Sequence, residues 1–275
     1  MRIWGYINIL SIDIALGAMG GCLLFAGLFD VSLRPPAYLG LGLIVWIIYT
    51  VDHLLDASRP DTRLSTARHR FHHVHRNALT VAVILASLVV LAQSLFVRTP
   101  VLVSGFLMGG WVIVYLTIQS RLRFMKELAA AVSYTAGVVI APLSLLDRPV
   151  SAPEWVTVVA FFLTTWINLL ICSLYDHAAD LKDHQPSFAT TFGAVVTRQT
   201  TFTLFVMVFV LLVYLFLSPG SNRLVAGLLA LMNLTLAVVV SSRSWFAQAD
   251  RHRLFADLAF LFPLLYLILD GSPWI

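Results

Sequence analysis

The sequence predicts an all-α, polytopic membrane protein, and three observations carry that prediction. Hydrophobic residues make up 59% of the 275-residue chain and charged residues only 12%, whereas soluble globular chains carry about 25% charged residues. Apolar runs of about 20 residues, the length that crosses a bilayer core as a helix, recur from end to end. Lys and Arg are divided unevenly between alternate connections, as cytoplasmic retention of positive charge requires.

About nine such runs are expected, at 7–29, 38–56, 78–97, 100–119, 127–146, 155–175, 200–217, 222–241 and 254–272. The first carries Asp13 and lacks a small-residue cleavage site after a short apolar core, so it reads as a helix and not as a signal peptide. With the N-terminus inside, the inner segments hold Arg2, Arg59, Arg63, Arg68, Arg70, Arg76, Arg121, Arg123, Lys126, Lys182, Arg198, Arg243, Arg251 and Arg253. The outer segments hold only Arg34, Arg98, Arg148 and Arg223. The bias places the N-terminus in the cytoplasm and the C-terminus outside. It also accounts for the net charge of +4 through topology and anionic lipid, with no need for nucleic acid. Cys22 and Cys172 both fall in apolar runs, which leaves no disulfide framework or paired-cysteine metal site. No linker or low-complexity tract interrupts residues 1–275, so one integral membrane domain is expected.

In this topology all eight histidines and most acids lie in or beside the inner connections, of which 57–77 and 177–199 are long. Long connections in compact bundles tend to carry function. Two similar words end apolar runs there: DHLLD, Asp52 to Asp56, and DHAAD, Asp176 to Asp180. Residues four apart share a helix face, so each word stacks two carboxylates, and like charges at that spacing repel. A cation between them relieves the repulsion. Hard carboxylate oxygens suit Mg²⁺, which keeps part of its water and bridges to substrate phosphates. Two facing acidic columns therefore suggest a magnesium–diphosphate site; the bland alternative is charge decoration at a membrane boundary. The recurrence after 124 residues hints that the first eight helices form two pseudo-repeated four-helix halves around a central cavity, with a ninth helix added. Arg68, Arg70 and Arg76 follow the first column, and Lys126 opens the fifth helix from RLRFMK. Arg68, Arg70 and Lys126 are candidates for diphosphate binding, because guanidinium offers bidentate contacts and ammonium a point charge.

Taken together, the aspartate-rich words that end helices two and six and the basic residue that begins helix five resemble the UbiA-type intramembrane prenyltransferases. That family carries Asn-Asp-x-x-Asp-x-x-x-Asp, or a close variant, in its first motif and Asp-x-x-x-Asp, often after Tyr, in its second. Tyr175-Asp176 and Asp180 fit the second motif, and SFATTFG, Ser187 to Gly193, is similar to the segment that follows it. The first motif departs: Val51 stands where the family has Asn, the acids fall at Asp52, Asp56 and Asp61, and RHRFHHVHR, Arg68 to Arg76, is richer in histidine than usual. The resemblance implies transfer of an isoprenyl group from a prenyl diphosphate to a hydrophobic aromatic or lipid acceptor, with membrane lipid around both. Asp52, Asp56, Asp176 and Asp180 would hold Mg²⁺, in two sites, with Lys126 among the catalytic residues. The allylic cation would need an electron-rich wall, for which Tyr115 and Tyr175 are the candidates, chosen from four inner tyrosines that also include Tyr49 and Tyr134. Asn168, eight residues before Asp176, would contact the acceptor or bond to a neighbouring helix.

Two further readings remain at this level. His69, His72 and His73 form HxxHH, with His75 following, and imidazole suits iron better than Mg²⁺. With His53, His177 and His184 they could serve a di-iron hydroxylase or desaturase. A non-catalytic binder of prenyl lipid is the other. Asp13 and Asp257, inside the first and last helices, are expected to face the cavity or to pair with Arg253 and its neighbours.

Overall fold

A computed structural model describes residues 2–57, 67–118, 122–182, 185–248 and 251–270, and every regular element among them is helical. In chain order these are α1 (Arg2–Ile9), α2 (Ile12–Leu28), α3 (Pro35–Ala57), α4 (Ala67–Val74), α5 (Arg76–Ser94), α6 (Thr99–Ile118), α7 (Lys126–Leu143), α8 (Ala152–Lys182), α9 (Phe188–Leu217), α10 (Arg223–Ser241), α11 (Arg243–Phe246), α12 (Arg251–Ala259) and α13 (Leu265–Leu269). Seven described segments are long and apolar enough to cross a membrane: α3, α5, α6, α8, α9, α10 and the stretch Arg251–Leu269. The first and fifth expected runs are present as the shorter α2 and as α7. The chain is a multi-pass membrane protein.

Three boundaries differ from expectation. The apolar run 155–175 sits inside α8, which continues to Lys182, and the run expected from 200 begins at Phe188. Much of the expected 177–199 loop is therefore helix, because polarity alone does not end a helix whose backbone bonds are local. The last span is interrupted: α12 gives way to a 3-10 turn, Phe262–Leu264, before α13. Pro263 within that turn has no N–H to continue an α-helical ladder.

The core sits where α2, α8 and α10 meet α7, α9 and the last span, with Phe25, Phe161, Ile167, Leu170, Leu229 and Met232 fully buried. By contrast, α5 and α6 expose Leu85, Leu88, Phe106 and Leu107. Lipid tails are as apolar as leucine, so such faces need no protein partner, and helix association relies on close packing of small residues. α2 supplies these. A β-carbon at Gly27 would lie 2.2 Å from the Tyr266 ring, and one at Gly20 would lie 2.8 Å from Leu264. Tyr266 is itself only 1% exposed and cannot swing away.

Gly27→Ala should accordingly destabilise the bundle by about 1–3 kcal/mol through overpacking, read as a lowered thermal midpoint of the detergent-purified protein, whereas Gly105→Ala on open α6, where nothing lies near, should leave it unchanged.

Candidate functional site

The site is assembled where α7 ends its approach to α8 and α9. α8 has 31 residues, about 46 Å at 1.5 Å per residue, against a hydrocarbon core of about 30 Å. Its last turns therefore reach beyond the apolar part, and they carry Asp176 and Asp180 on one face. The chain turns back through Gln185, whose N–H donates to the Asp180 carbonyl at 2.8 Å, and Ser187 then caps α9. Its hydroxyl accepts from the Thr190 N–H at 3.3 Å, while its own N–H donates to Thr190 Oγ1 at 2.8 Å. This reciprocal capping box explains the small-residue segment: SFATTFG is a helix start. The Phe188 N–H donates to Glu127 Oε1 at 2.7 Å, and the Ala189 N–H donates to Ser173 Oγ at 3.1 Å. Glu127, 7% exposed, thus ties α7 to the start of α9 and keeps Lys126 beside it. A few residues on, Gly193 takes φ 81°, open to glycine at little cost, and kinks α9.

Asp176 meets the chain's other end. Arg253 of α12 donates through Nη2 to Asp176 Oδ2, and His252 Nε2 stands 3.6 Å from Oδ1, too long for a hydrogen bond. The His252 ring, buried, stacks on Tyr175 with centroids 4.4 Å apart and planes 7° from parallel. The Tyr175 hydroxyl donates to the Val239 carbonyl at 2.6 Å, and the Arg243 guanidinium lies 5.8 Å from its ring centre. Tyr175, expected as a wall for an allylic cation, instead brackets α8 to α10 and α12. Asp180 is half-buried; it lies within hydrogen-bonding reach of Ser187 and within the electrostatic reach of Asp176, Lys126 and Arg253. Of the residues expected from sequence, Lys126, Asp176 and Asp180 come together, joined by Arg253 and His252, which sequence reasoning had not placed there.

The α3 side approaches through Tyr115 of α6, which is within electrostatic reach of both Asp52 and Glu127. Asp52 is half-buried. The side chains of Asp56 and Arg68 lie outside the described residues, as do those of His69, Asp61 and His184. Arg70 is exposed on α4. The histidine run does not act as one group: His72 is 1% exposed and packs 5.0 Å from the His53 ring, whereas His73 and His75 are exposed and His75 stacks on Phe71. Among the described residues no three His, Cys, Asp or Glu side chains form a metal cage, so the iron reading gains no support there.

Deeper in the bundle, Asn168 is 8% exposed and its Oδ1 has no hydrogen-bond partner among the described residues. The helix-to-helix bond is made by another pair, Asn233 Nδ2 donating to Thr164 Oγ1 at 2.8 Å. Asp13 and Asp257 do come together, but through Asn8, whose Nδ2 donates to Asp13 Oδ2 at 2.7 Å and to Asp257 Oδ2 at 2.9 Å. Arg253 forms an ion pair with Asp176.

The residues suit Mg²⁺: Asp176 and Asp180 offer hard oxygen donors on one face, and an open donor set leaves room for water and phosphate oxygens. Arg253 holds one of those oxygens and would compete with a metal ion for it.

No protein-family model and no curated protein matches the sequence. Solved structures do match it in shape. A UbiA homolog from Aeropyrum pernix K1 superposes with a TM-score of 0.70 at 15% identity, over 95% of this chain and 99% of that one. A UbiA homolog from Archaeoglobus fulgidus, described as bound to GPP and Mg²⁺, gives 0.68 at 15% identity over 97% and 99%. A structure described as that of digeranylgeranylglyceryl phosphate synthase gives 0.56 at 12% identity over 95% and 98%. The chain therefore has the all-helical fold of the UbiA homologues along nearly its whole length.

Replacing Glu127 by Ala removes the acceptor of a buried α9 N–H, a loss of about 1–3 kcal/mol. The thermal midpoint should fall and the Phe188 amide should exchange with solvent faster than in the parent protein.

Proposed function

We propose that this protein is an intramembrane prenyltransferase of the UbiA type, which transfers an isoprenyl group from a prenyl diphosphate to a hydrophobic aromatic or lipid acceptor. The observation that carries the reading is the face of Asp176 and Asp180 set against Lys126 and Arg253 at one end of a UbiA fold. The Archaeoglobus fulgidus homologues described with GPP and Mg²⁺ and with DMAPP and Mg²⁺ support it.

Asp52 and Asp56 on α3, and Asp176 and Asp180 on α8, would hold Mg²⁺, which when bound supplies positive charge to the phosphate oxygens. Lys126 and Arg68 bind the diphosphate, with Arg70 at the rim. In the reaction the allylic C–O bond breaks and its electron pair leaves with the diphosphate. Lys126 offsets the charge that develops there, and fixed cations in a water-poor site do so without reorganising. The acceptor's carbon or oxygen then forms the new bond to the prenyl carbon and gives up its proton to the departing diphosphate or to water. Tyr115, within the electrostatic reach of Asp52 and Glu127, would face the electron-poor prenyl carbon. Asn168, whose buried amide oxygen has no hydrogen-bond partner among the described residues, would receive an acceptor hydroxyl. The basic segments put this end of the bundle in the cytoplasm, with the C-terminus outside.

Geranylgeranyl diphosphate should bind the detergent-purified protein in a Mg²⁺-dependent way, and Asp176→Asn should weaken that binding by at least about 10- to 100-fold, the loss seen when even a supporting group of a metal site is removed. Binding that ignores Mg²⁺, or that survives in Asp176→Asn, refutes the assignment; binding without turnover on any hydrophobic acceptor leaves a prenyl-lipid binder. A membrane-impermeant thiol reagent applied outside intact cells should label Ser151→Cys and should not label Ser244→Cys.

A further inference from the structure

We propose that Arg253 is a resident counter-cation of the site: it neutralises Asp176 until metal and diphosphate arrive, and then becomes a diphosphate-binding residue. The inference rests on the prenyltransferase reading and adds a residue to it.

Asp176 stands at the end of an apolar helix with its side chain only 21% exposed, where an uncompensated carboxylate is costly. Arg253 supplies the compensation at Oδ2. A lone pair that accepts a guanidinium N–H cannot at the same time coordinate a metal ion, and the two cations repel. A metal ion that takes that lone pair displaces Arg253 from Oδ2, and repulsion between the two cations favours its departure even when the metal enters through Oδ1. The structure provides an anchor beside that movement. The preceding residue, His252, is 3% exposed and stacked on Tyr175, whose hydroxyl is held by the Val239 carbonyl, so the backbone beside Arg253 is fixed. The Arg253 side chain is 33% exposed and already senses Asp180 as well as Asp176.

A bound diphosphate offers it a better partner. Guanidinium matches phosphate oxygens in a two-pronged geometry, and the diphosphate's negative charge grows as the C–O bond breaks. The neighbouring Arg243 is placed differently, with Nη2 on the Leu174 carbonyl at 3.3 Å and its guanidinium over Tyr175. Arg253 is the cation whose partner is itself a proposed metal ligand.

The handover predicts opposite changes in two affinities, which loss of a structural prop would not produce. Calorimetric titration of Arg253→Gln with Mg²⁺ alone should show binding about 3- to 10-fold tighter than in the parent, because a competing ion pair of ordinary strength has gone. Geranylgeranyl diphosphate at saturating Mg²⁺ should bind about 10- to 100-fold more weakly, as a charge-assisted contact is lost. Arg253→Lys should restore the weaker Mg²⁺ binding and recover only part of the diphosphate affinity. If Arg253→Gln loses both affinities, or changes neither, while the parent binds diphosphate with Mg²⁺, the handover is wrong and the prenyltransferase reading stands. A parent protein that binds no diphosphate with Mg²⁺ overturns both. Should Arg253→Gln fail to fold, Arg253→Lys decides alone: diphosphate affinity equal to the parent's overturns the proposal, and a selective loss supports it.

Discussion

A carboxylate at the end of a lipid-embedded helix must find positive charge, and the pairing of Asp176 with Arg253 meets that demand. It also does more than neutralise. Because Arg253 opens the last span, the pair draws α12 onto the end of α8, and His252 and Tyr175 stack beneath it. Removing the arginine would leave a carboxylate that is only 21% exposed without this cation. Everything around the candidate site is arranged on this junction between the sixth expected span and the last.

The second constraint is the start of α9. Its first N–H groups are satisfied by Glu127, Ser173 and Ser187, drawn from α7, α8 and the cap itself. A helix start satisfied in this way is not an open anion site, so in the proposed reaction phosphate recognition would fall to side-chain cations. Glu127 also holds the start of α7, and with it Lys126, against the start of α9, within the electrostatic reach of Asp180. An acid that binds no substrate in this reading thus decides where a substrate-binding lysine stands. Tyr115 links this cluster electrostatically to Asp52 across the bundle.

The histidine-rich stretch illustrates how a motif can dissolve on folding. On paper, His69, His72, His73 and His75 look like one ligand box. On α4 and the turn that follows it the pattern separates: His72 turns inward to His53, while His73 and His75 are exposed. Adjacent positions on a helix point in different directions, so His72 and His73 cannot face one way, and His75 lies past the end of α4, at the start of α5. The packing of His72 under α3 suits a structural role beside the first acidic word.

Much of this molecule was legible in the order of its residues. Apolar run length placed the membrane helices, because a bilayer demands about 20 apolar residues whatever the fold. The four-residue spacing in DHAAD put Asp176 and Asp180 on one face, because helical periodicity is local. The basic residue that opens α7 marked Lys126 for the site, and it stands within the electrostatic reach of Asp180. Tertiary structure alone decided which charges meet. Arg253 lies 77 residues from Asp176, a pairing that no sequence pattern marked, and Asp13 and Asp257 are joined by Asn8 from α1. Tyr175 could be read as an open aromatic wall until folding spent its hydroxyl on Val239 and its face on His252. Periodicity determines the face on which a residue stands, but the partner across a helix interface depends on packing between segments far apart in the chain.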